Sequence, residues 1–358
     1  MTTSASHIDS EAQTAIDQGR SLPLRWYRDP DLYERESRVV FTFGWQYVGS
    51  FDRLPQPGSF FTSSIARIPV LVVRDAEDQL RAFANVCPHR GHAVADGDGC
   101  RATLQCRYHG WTYNLDGRLR KAPRTELDPT FDPSEIRLRE LAVDRWGPLI
   151  FVSPQPGAGF QEATAGLRAA AQRRGFDVMA HSRRASREWE LACNWKVALD
   201  NNTECYHCAT IHRSFASDYY VDREHYLVEG FDYAFTHESP MKRSDNAGSA
   251  PDFHLYYLWP NSMISARRNE YFYTYHYRPV APGRTVQHND YFFPPEWSDA
   301  EVADKIEEIG EIMREDWAAF ESVQHGIESG VFHHGVVLPH EEALLCHFHK
   351  LHARMLGL

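Results

Sequence analysis

From about Trp45 to Val152 the chain alternates apolar and polar positions in short runs broken by turn signals: VLVV at 70–73, the turn DAED, LRAFANV, and WTYNLDGRLR with Asp116-Gly117 at a hairpin turn. That pattern predicts a small antiparallel β domain. Beyond the Pro/Gly-rich SPQPGAG at 153–159 the period becomes mixed. Helical spacing covers 162–173, and a second helix begins at Asn194, a suitable N-cap. EYFYTYHYRPV alternates as a strand, APG turns, and RTVQHNDYFF returns as its partner. Ser298 with Glu301 forms a capping box opening the long helix DAEVADKIEEIGEIMREDWAAFESV, and 341–353 reads as a closing amphipathic helix. Its His347, His349 and His352 are expected to be surface or packing residues. The fold class is therefore α+β: a small antiparallel β domain at 45–155, a sheet with helices at 156–358, and an N-terminal segment, 1–44, packing on the second domain.

A formal charge of -11 argues against nucleic acid or an anionic membrane surface as the main partner. The opening residues lack an apolar signal-peptide core and no stretch has membrane-helix length, so a cytoplasmic protein is expected. Seven cysteines, three of them (Cys193, Cys205, Cys208) near histidine, point to metal chemistry rather than a disulfide framework.

Cys87-x-His89, then sixteen residues, then Cys106-x-x-His109 supplies two thiolates and two imidazoles in paired halves. This favours two cysteines on one iron and two histidines on another; a single tetrahedral Cys2His2 zinc is the alternative, although Cys-x-His is closer than zinc pairs usually are. CPHRG and CRYHGWTY closely resemble the two loops of the Rieske domain in the large subunits of Rieske non-heme iron oxygenases. The resemblance implies that Cys87, His89, Cys106 and His109 bind a 2Fe-2S cluster, with Cys100, His92 and the DGDG turn as spectators. His92 and Tyr108 stand where respiratory-type Rieske proteins pair two cysteines, so a potential low in the Rieske range is expected.

The second constellation is NWKVALDNNTECYHCATIH, 194–212. On a helix from Asn194, Trp195, Ala198, Leu199, Asn202 and Tyr206 share one stripe while Asp200, Glu204 and His207 share another. His212 sits at an awkward helical offset, so the helix is expected to loosen before it. Two histidines with a carboxylate from elsewhere would make a facial triad for non-heme iron. Cys205 and Cys208 offer a C-x-x-C zinc or redox pair, but are expected to pack nearby. The segment resembles the family's catalytic-iron motif. By that match His207 and His212 ligate a mononuclear Fe(II), and Glu204, within ECYHC, is the bridging acid, as in oxygenases acting on betaines and related quaternary ammonium compounds. EDWAAFESVQHGIESG resembles the closing segment that supplies the third ligand, Asp316, with Glu315 the neighbouring alternative. DNNT, and HRSF from His212, depart from the pattern and bear on pocket shape.

GAGFQE at Gly157 is not a dinucleotide fingerprint. The resemblance implies a helix-grip-like catalytic domain, electrons from NAD(P)H through a separate reductase and perhaps a ferredoxin, and a head-to-tail homotrimer. In it His109, Glu204 and His207 would bridge the two metals across subunits. The expected reaction uses O2 to hydroxylate or oxidatively demethylate a small organic substrate. FHLYYLWP and EYFYTYHY supply aromatics for a cationic cage or for sheet core; an aromatic or natural-product substrate is the alternative, and a two-domain electron carrier without mononuclear iron is the rival outside the oxygenases.

Overall fold

Pro30, whose ring presets the helical φ, opens helix α1 (Pro30–Phe43), while the Asp29 carboxylate accepts the N–H groups of Asp31 and Leu32. The computed structural model describes residues 14–126, 128–155, 159–242, 253–267 and 270–357. The first part of the N-terminal segment and the centre of the Pro/Gly-rich stretch, including Gly157, lie outside the described residues. The chain divides into two units, Thr42–Gly157 and Met1–Phe41 with Ala158–Leu358.

The first unit is built on β1 (Gln46–Ser50), β2 (Ser59–Ile65), β3 (Ile68–Arg74), β4 (Leu80–Ala84), β5 (Asp98–Cys100), β6 (Leu104–Gln105), β7 (Thr112–Tyr113), β8 (Leu119–Lys121), β9 (Glu140–Trp146) and β10 (Leu149–Ser153). Seven of these strands form an antiparallel sheet in the order β1-β10-β9-β4-β3-β2-β5, and β6-β7-β8 form a second. Gly117 closes the β7–β8 turn at φ +85, where a Cβ would come within 2.6 Å of Phe83.

The second unit continues with α2 (Phe160–Arg173), β11 (Ser182–Leu191), α3 (Trp195–Asn202), α4 (Cys208–Ile211), α5 (Arg213–Asp218), β12 (Leu227–Gly230), β13 (Ala234–Ser239), β14 (Phe253–Leu258), β15 (Ser262–Arg267), β16 (Tyr271–Ala281), β17 (Arg284–Phe293), α6 (Asp299–Ser329) and α7 (Ala343–Met355). Its sheet is antiparallel, in the order β11-β17-β16-β15-β14-β13-β12. The register sets His237, Leu255, Ser265 and Tyr273 in one row across four strands, with Phe253, Arg267 and Tyr271 in the next row on the same face. Both capping motifs are present: Asn194 accepts Lys196 N–H, and Ser298 and Glu301 close a capping box on α6.

Two expectations are corrected here. The helix from Asn194 stops at Asn202, so Tyr206 leaves the buried stripe and is 58% exposed. His349 and His352 are not plain packing residues but are buried in a polar network. His352 Nε2 lies 2.8 Å from Glu36 Oε1, Lys196 Nζ lies 2.7 Å from the same oxygen, and Trp195 donates to Glu36 Oε2 at 3.0 Å. Asp200 accepts from Tyr27 at 2.5 Å and His349 at 3.0 Å. These bonds tie α3 to α1 and α7, fixing the helix from which the site residues follow.

Candidate metal centres and substrate cavity

In the first unit the loops after β4 and β6 fold alike. Gly91 N–H donates to Cys87 O and Cys87 N–H to His92 O; Gly110 N–H donates to Cys106 O and Cys106 N–H to Trp111 O. Each turn thus places one cysteine inward and one histidine outward. Cys87 and Cys106 are buried in the core with Tyr113 and Leu115, whereas His89 and His109 are exposed with ring centroids 4.6 Å apart. Trp111 stacks on His89 at 4.6 Å, and Tyr113 O–H lies 3.0 Å from Cys87 Sγ. Burial pushes the Cys106 thiol up, and burial with neighbouring His89 lowers His109. His92 and Tyr108 face each other at 5.8 Å, leaving no covalent link between the loops. Among the described residues, sets of three or more donors within 4.8 Å of one another are His207/His212/Asp316 and the exposed Asp222/Glu224/His225. Cys87, His89, Cys106 and His109 do not converge that tightly, which suits two irons bridged by sulfide better than one tetrahedral ion.

In the second unit the chain turns at 203–207 before the short α4, and His212 joins α4 to α5. Glu204 and His207 meet through this turn rather than along a helix. Glu204 Oε1 accepts from His207 Nδ1 at 2.6 Å, and Oε2 accepts the N–H groups of Tyr206 and His207. The same turn brings Cys205 and Cys208 into a disulfide, with Cα atoms 5.0 Å apart. This corrects the expectation of simple packing, and it follows from the early end of α3.

Asp316, 9% exposed on α6, approaches both histidines: its Oδ1 is 2.9 Å from His212 Nε2 and 3.6 Å from His207 Nε2. Glu315 lies on the other side, 2.8 Å from His212 Nδ1. Each histidine therefore turns its Nδ1 to an acid, Glu204 or Glu315, and its Nε2 toward Asp316, to which His212 Nε2 donates at 2.9 Å. Such outer acids fix tautomer and ring orientation in metal sites. Although burial pushes His212 down, Asp316 and Glu315 outweigh it and raise the imidazole. A metal ion at Nε2 would displace that proton, and the same acids would stabilise the bound cation. Two neutral imidazole nitrogens and one carboxylate, with room beside them, fit a facial-triad iron.

The room is a cavity of about 330 Å³ reaching from these donors along the sheet and α6. Its aromatic wall is Phe215, Tyr219, Phe253, Tyr271, Tyr273 and Tyr275, and its carboxylates are Glu204, Asp218, Glu308, Glu311, Glu315 and Asp316; Arg267 is the guanidinium among the lining residues. His237 also lines it, a residue without a sequence signal beyond its place in an alternating strand.

Residues 44–132 match the Rieske [2Fe-2S] domain and residues 178–358 match the ring hydroxylating alpha subunit catalytic domain. The carnitine monooxygenase oxygenase subunit of Acinetobacter pittii (strain PHEA-2) is 31% identical over 86% of this chain and 85% of its own length. The chloroplastic choline monooxygenase of Spinacia oleracea is 30% identical over 97% and 82% respectively. The crystal structure of the quaternary ammonium Rieske monooxygenase CntA with L-carnitine has a TM-score of 0.82 at 28% identity, covering 94% of this chain and 95% of that one. Naphthalene 1,2-dioxygenase from a Rhodococcus species, at 17% identity and a TM-score of 0.79 over 98% of this chain and 99% of that one, shares the fold. With a Rieske 2Fe-2S domain followed by a mononuclear-iron catalytic domain, the chain belongs to the Rieske non-heme iron oxygenases, as an oxygenase alpha subunit.

Proposed function

We propose that this oxygenase acts on a quaternary ammonium compound, removing or oxidising a carbon attached to or near the nitrogen. The observation that carries the reading is the cavity wall: six aromatic rings and six carboxylates surround a space beside the metal donors, against one guanidinium. A quaternary nitrogen accepts no hydrogen bond, so it is held by aromatic faces and by carboxylates at a distance. The named relatives act on carnitine and choline, which supports the same class.

The proposed metal sites are Cys87, His89, Cys106 and His109 for the cluster and His207, His212 and Asp316 for the iron. When bound, the two groups supply one-electron transfer and dioxygen chemistry. The chain's own residues do the rest. Glu204 and Glu315 hold the imidazoles in the tautomer that leaves Nε2 free. Glu204 keeps acceptor capacity beyond its bonds to His207 and Tyr206, and in a homotrimer it would take a hydrogen bond from His109 of the partner subunit. The related CntA is described with inter-subunit electron transfer. The aromatic wall excludes water and sets an N-methyl group toward the histidines. Hydroxylation there consumes O2, two electrons and two protons, releases water and leaves an N-hydroxymethyl group that collapses to tertiary amine, formaldehyde and a proton.

Electrons are supplied from NAD(P)H by a separate reductase, as is typical of the family to which the chain belongs. Among the described residues no helix is long and apolar enough to cross a membrane. The cytoplasm is the proposed site, because the cluster needs Cys87 and Cys106 as thiols when it assembles, and in that reducing compartment the Cys205–Cys208 pair would be held open as thiols too. The test is turnover by the reconstituted protein with a reductase, offering L-carnitine, choline and naphthalene separately. Oxygen uptake coupled to product from a quaternary ammonium compound supports the reading; coupled product from naphthalene alone overturns it.

A further inference from the structure

C-x-x-C occurs once in the sequence, at Cys205 and Cys208, and it is interleaved with the iron site: Glu204 precedes the first cysteine and His207 the second. The disulfide joins the two ends of that turn. Both cysteines line the cavity and pack with Tyr226, Phe215, Val221 and Val228. Cys208 Sγ lies 3.9 Å from His207 Nε2, the nitrogen turned toward Asp316, so a sulfur borders the space of the metal donors. Between the two cysteines Tyr206 is 58% exposed, which puts the turn at the surface. The other thiols differ. Cys87 and Cys106 are assigned to the cluster, burial pushes Cys193 up to about 12 and raises Cys346, and Cys100 meets Gln56 and the Pro57 carbonyl rather than a second thiol.

We propose that Cys205 and Cys208 are a site of reversible oxidation, a dithiol in the reducing cytoplasm that hydrogen peroxide closes to the disulfide, and that closure tightens the hold of the turn 204–208 on the mononuclear iron. The inference does not depend on which substrate the cavity takes. Peroxide is what O2 becomes when it takes up two electrons and two protons and no carbon is hydroxylated, and it is small enough to enter the cavity that both cysteines line. One cysteine sulfur attacks a peroxide oxygen and the O–O bond breaks, leaving a sulfenic acid and water. The second sulfur displaces the sulfenic oxygen, which leaves as a second water while the S–S bond forms. Two thiols and one peroxide thus give one disulfide and two waters, with two electrons passing from sulfur to peroxide. A cellular dithiol reverses the step by exchange, taking the two electrons' worth of oxidation as its own disulfide. The consequence for the iron site follows from the chain path. Apart from the disulfide, the turn is held by the Tyr206 and His207 N–H groups on the Glu204 carboxylate. A covalent link across 205–208 removes conformational freedom from the segment that carries Glu204 and His207, so less ordering remains to be done when the metal binds. A loop this short gains modestly from cross-linking, which sets the expected gain in Fe(II) affinity at roughly three- to tenfold.

The test uses the full-length, cluster-loaded protein after its mononuclear iron has been removed by chelation. One portion is reduced with dithiothreitol, and another is then given one equivalent of hydrogen peroxide followed by catalase. Alkylation with iodoacetamide and mass spectrometry of the tryptic peptide 197–213, whose only cysteines are these two, reads the state of the pair. Both cysteines should be alkylated in the reduced portion, and both protected after peroxide in a peptide two hydrogens lighter, with dithiothreitol restoring alkylation. Anaerobic calorimetry with Fe(II) then compares the two states, and the closed form should bind roughly three- to tenfold more tightly. Cys205→Ser/Cys208→Ser should bind Fe(II) as the reduced wild type does, with or without the peroxide step, which separates closure of the pair from peroxide damage elsewhere. A pair that peroxide leaves alkylatable, Fe(II) dissociation constants that agree within about twofold between the two states, or a double variant that shows the same tightening overturns the proposal. The wild-type comparison stands even if the double variant does not fold.

Discussion

Replacing Lys196 with methionine probes the part of the catalytic unit that holds the iron-site helix in place. Lys196 and Glu36 are both 0% exposed, with Nζ and Oε1 2.7 Å apart. Burial alone would push the Glu36 carboxyl up, but Lys196 and His352 together hold it at about 2 instead of 4.5. Keeping it there is worth roughly 3 kcal/mol of stability near neutral pH. This is consistent with the ~3–5 kcal/mol lost when one member of a buried ion pair is removed. At about 2 °C or more per kcal/mol, Lys196→Met should lower Tm by roughly 6–20 °C at pH 7. The pH dependence has a definite sign. A carboxyl held below its unfolded value contributes stability that is complete above about 4.5 and is lost as pH falls toward about 2. Wild-type protein should therefore lose stability across that window, and Lys196→Met should show a flatter profile there. The paired change Glu36→Leu/Lys196→Met should recover much of the loss, because apolar packing replaces the pair. Urea unfolding followed by circular dichroism from pH 7 to 2 measures all three proteins. A single variant within about 0.5 kcal/mol of wild type, or an unchanged acid profile, would refute the reasoning.

Three further outcomes follow from the site geometry. Asp316→Ala should lose the mononuclear iron while retaining cluster iron and labile sulfide, whereas Glu315→Gln should retain it with affinity weakened about 10–100-fold; metal analysis after graded chelation separates the two. Glu204→Gln should keep both metals and substrate binding but lose most coupled turnover, and full product yield per O2 consumed in that variant would remove Glu204 from the electron path. Tyr113→Phe removes the O–H that lies 3.0 Å from Cys87 Sγ, a contact that favours the more electron-rich reduced cluster. At about 1 kcal/mol its loss should lower the potential by roughly 40 mV in protein-film voltammetry.

The metal chemistry was legible because its ligands come in short-range patterns. Cys-x-His and Cys-x-x-His sit in two tight turns, and local backbone geometry alone places cysteine inward and histidine outward in each. The strands and capped helices were equally readable, since alternation and the Ser298/Glu301 box are local signals. What sequence could not decide depends on contacts across long separations. Asp316 and Glu315 are adjacent on one helix; only the position of His212 shows that Asp316 meets Nε2 and Glu315 meets Nδ1. The network joining Glu36, Lys196 and His352 spans more than three hundred residues, so His352 read as ordinary packing. The Cys205–Cys208 disulfide depends on the helix ending at Asn202, which helical spacing does not reveal, and a single histidine such as His237 in an alternating strand resembles any other inward residue.

The most direct test of the central account is iron and acid-labile sulfide per chain, measured with the visible spectrum on anaerobically purified wild-type and His207→Ala protein. The account predicts about three irons and two sulfides with a Rieske spectrum in the wild type, and about one iron fewer with unchanged sulfide and spectrum in the variant. About two irons in both proteins would contradict it, leaving an electron carrier in which His207 holds no metal.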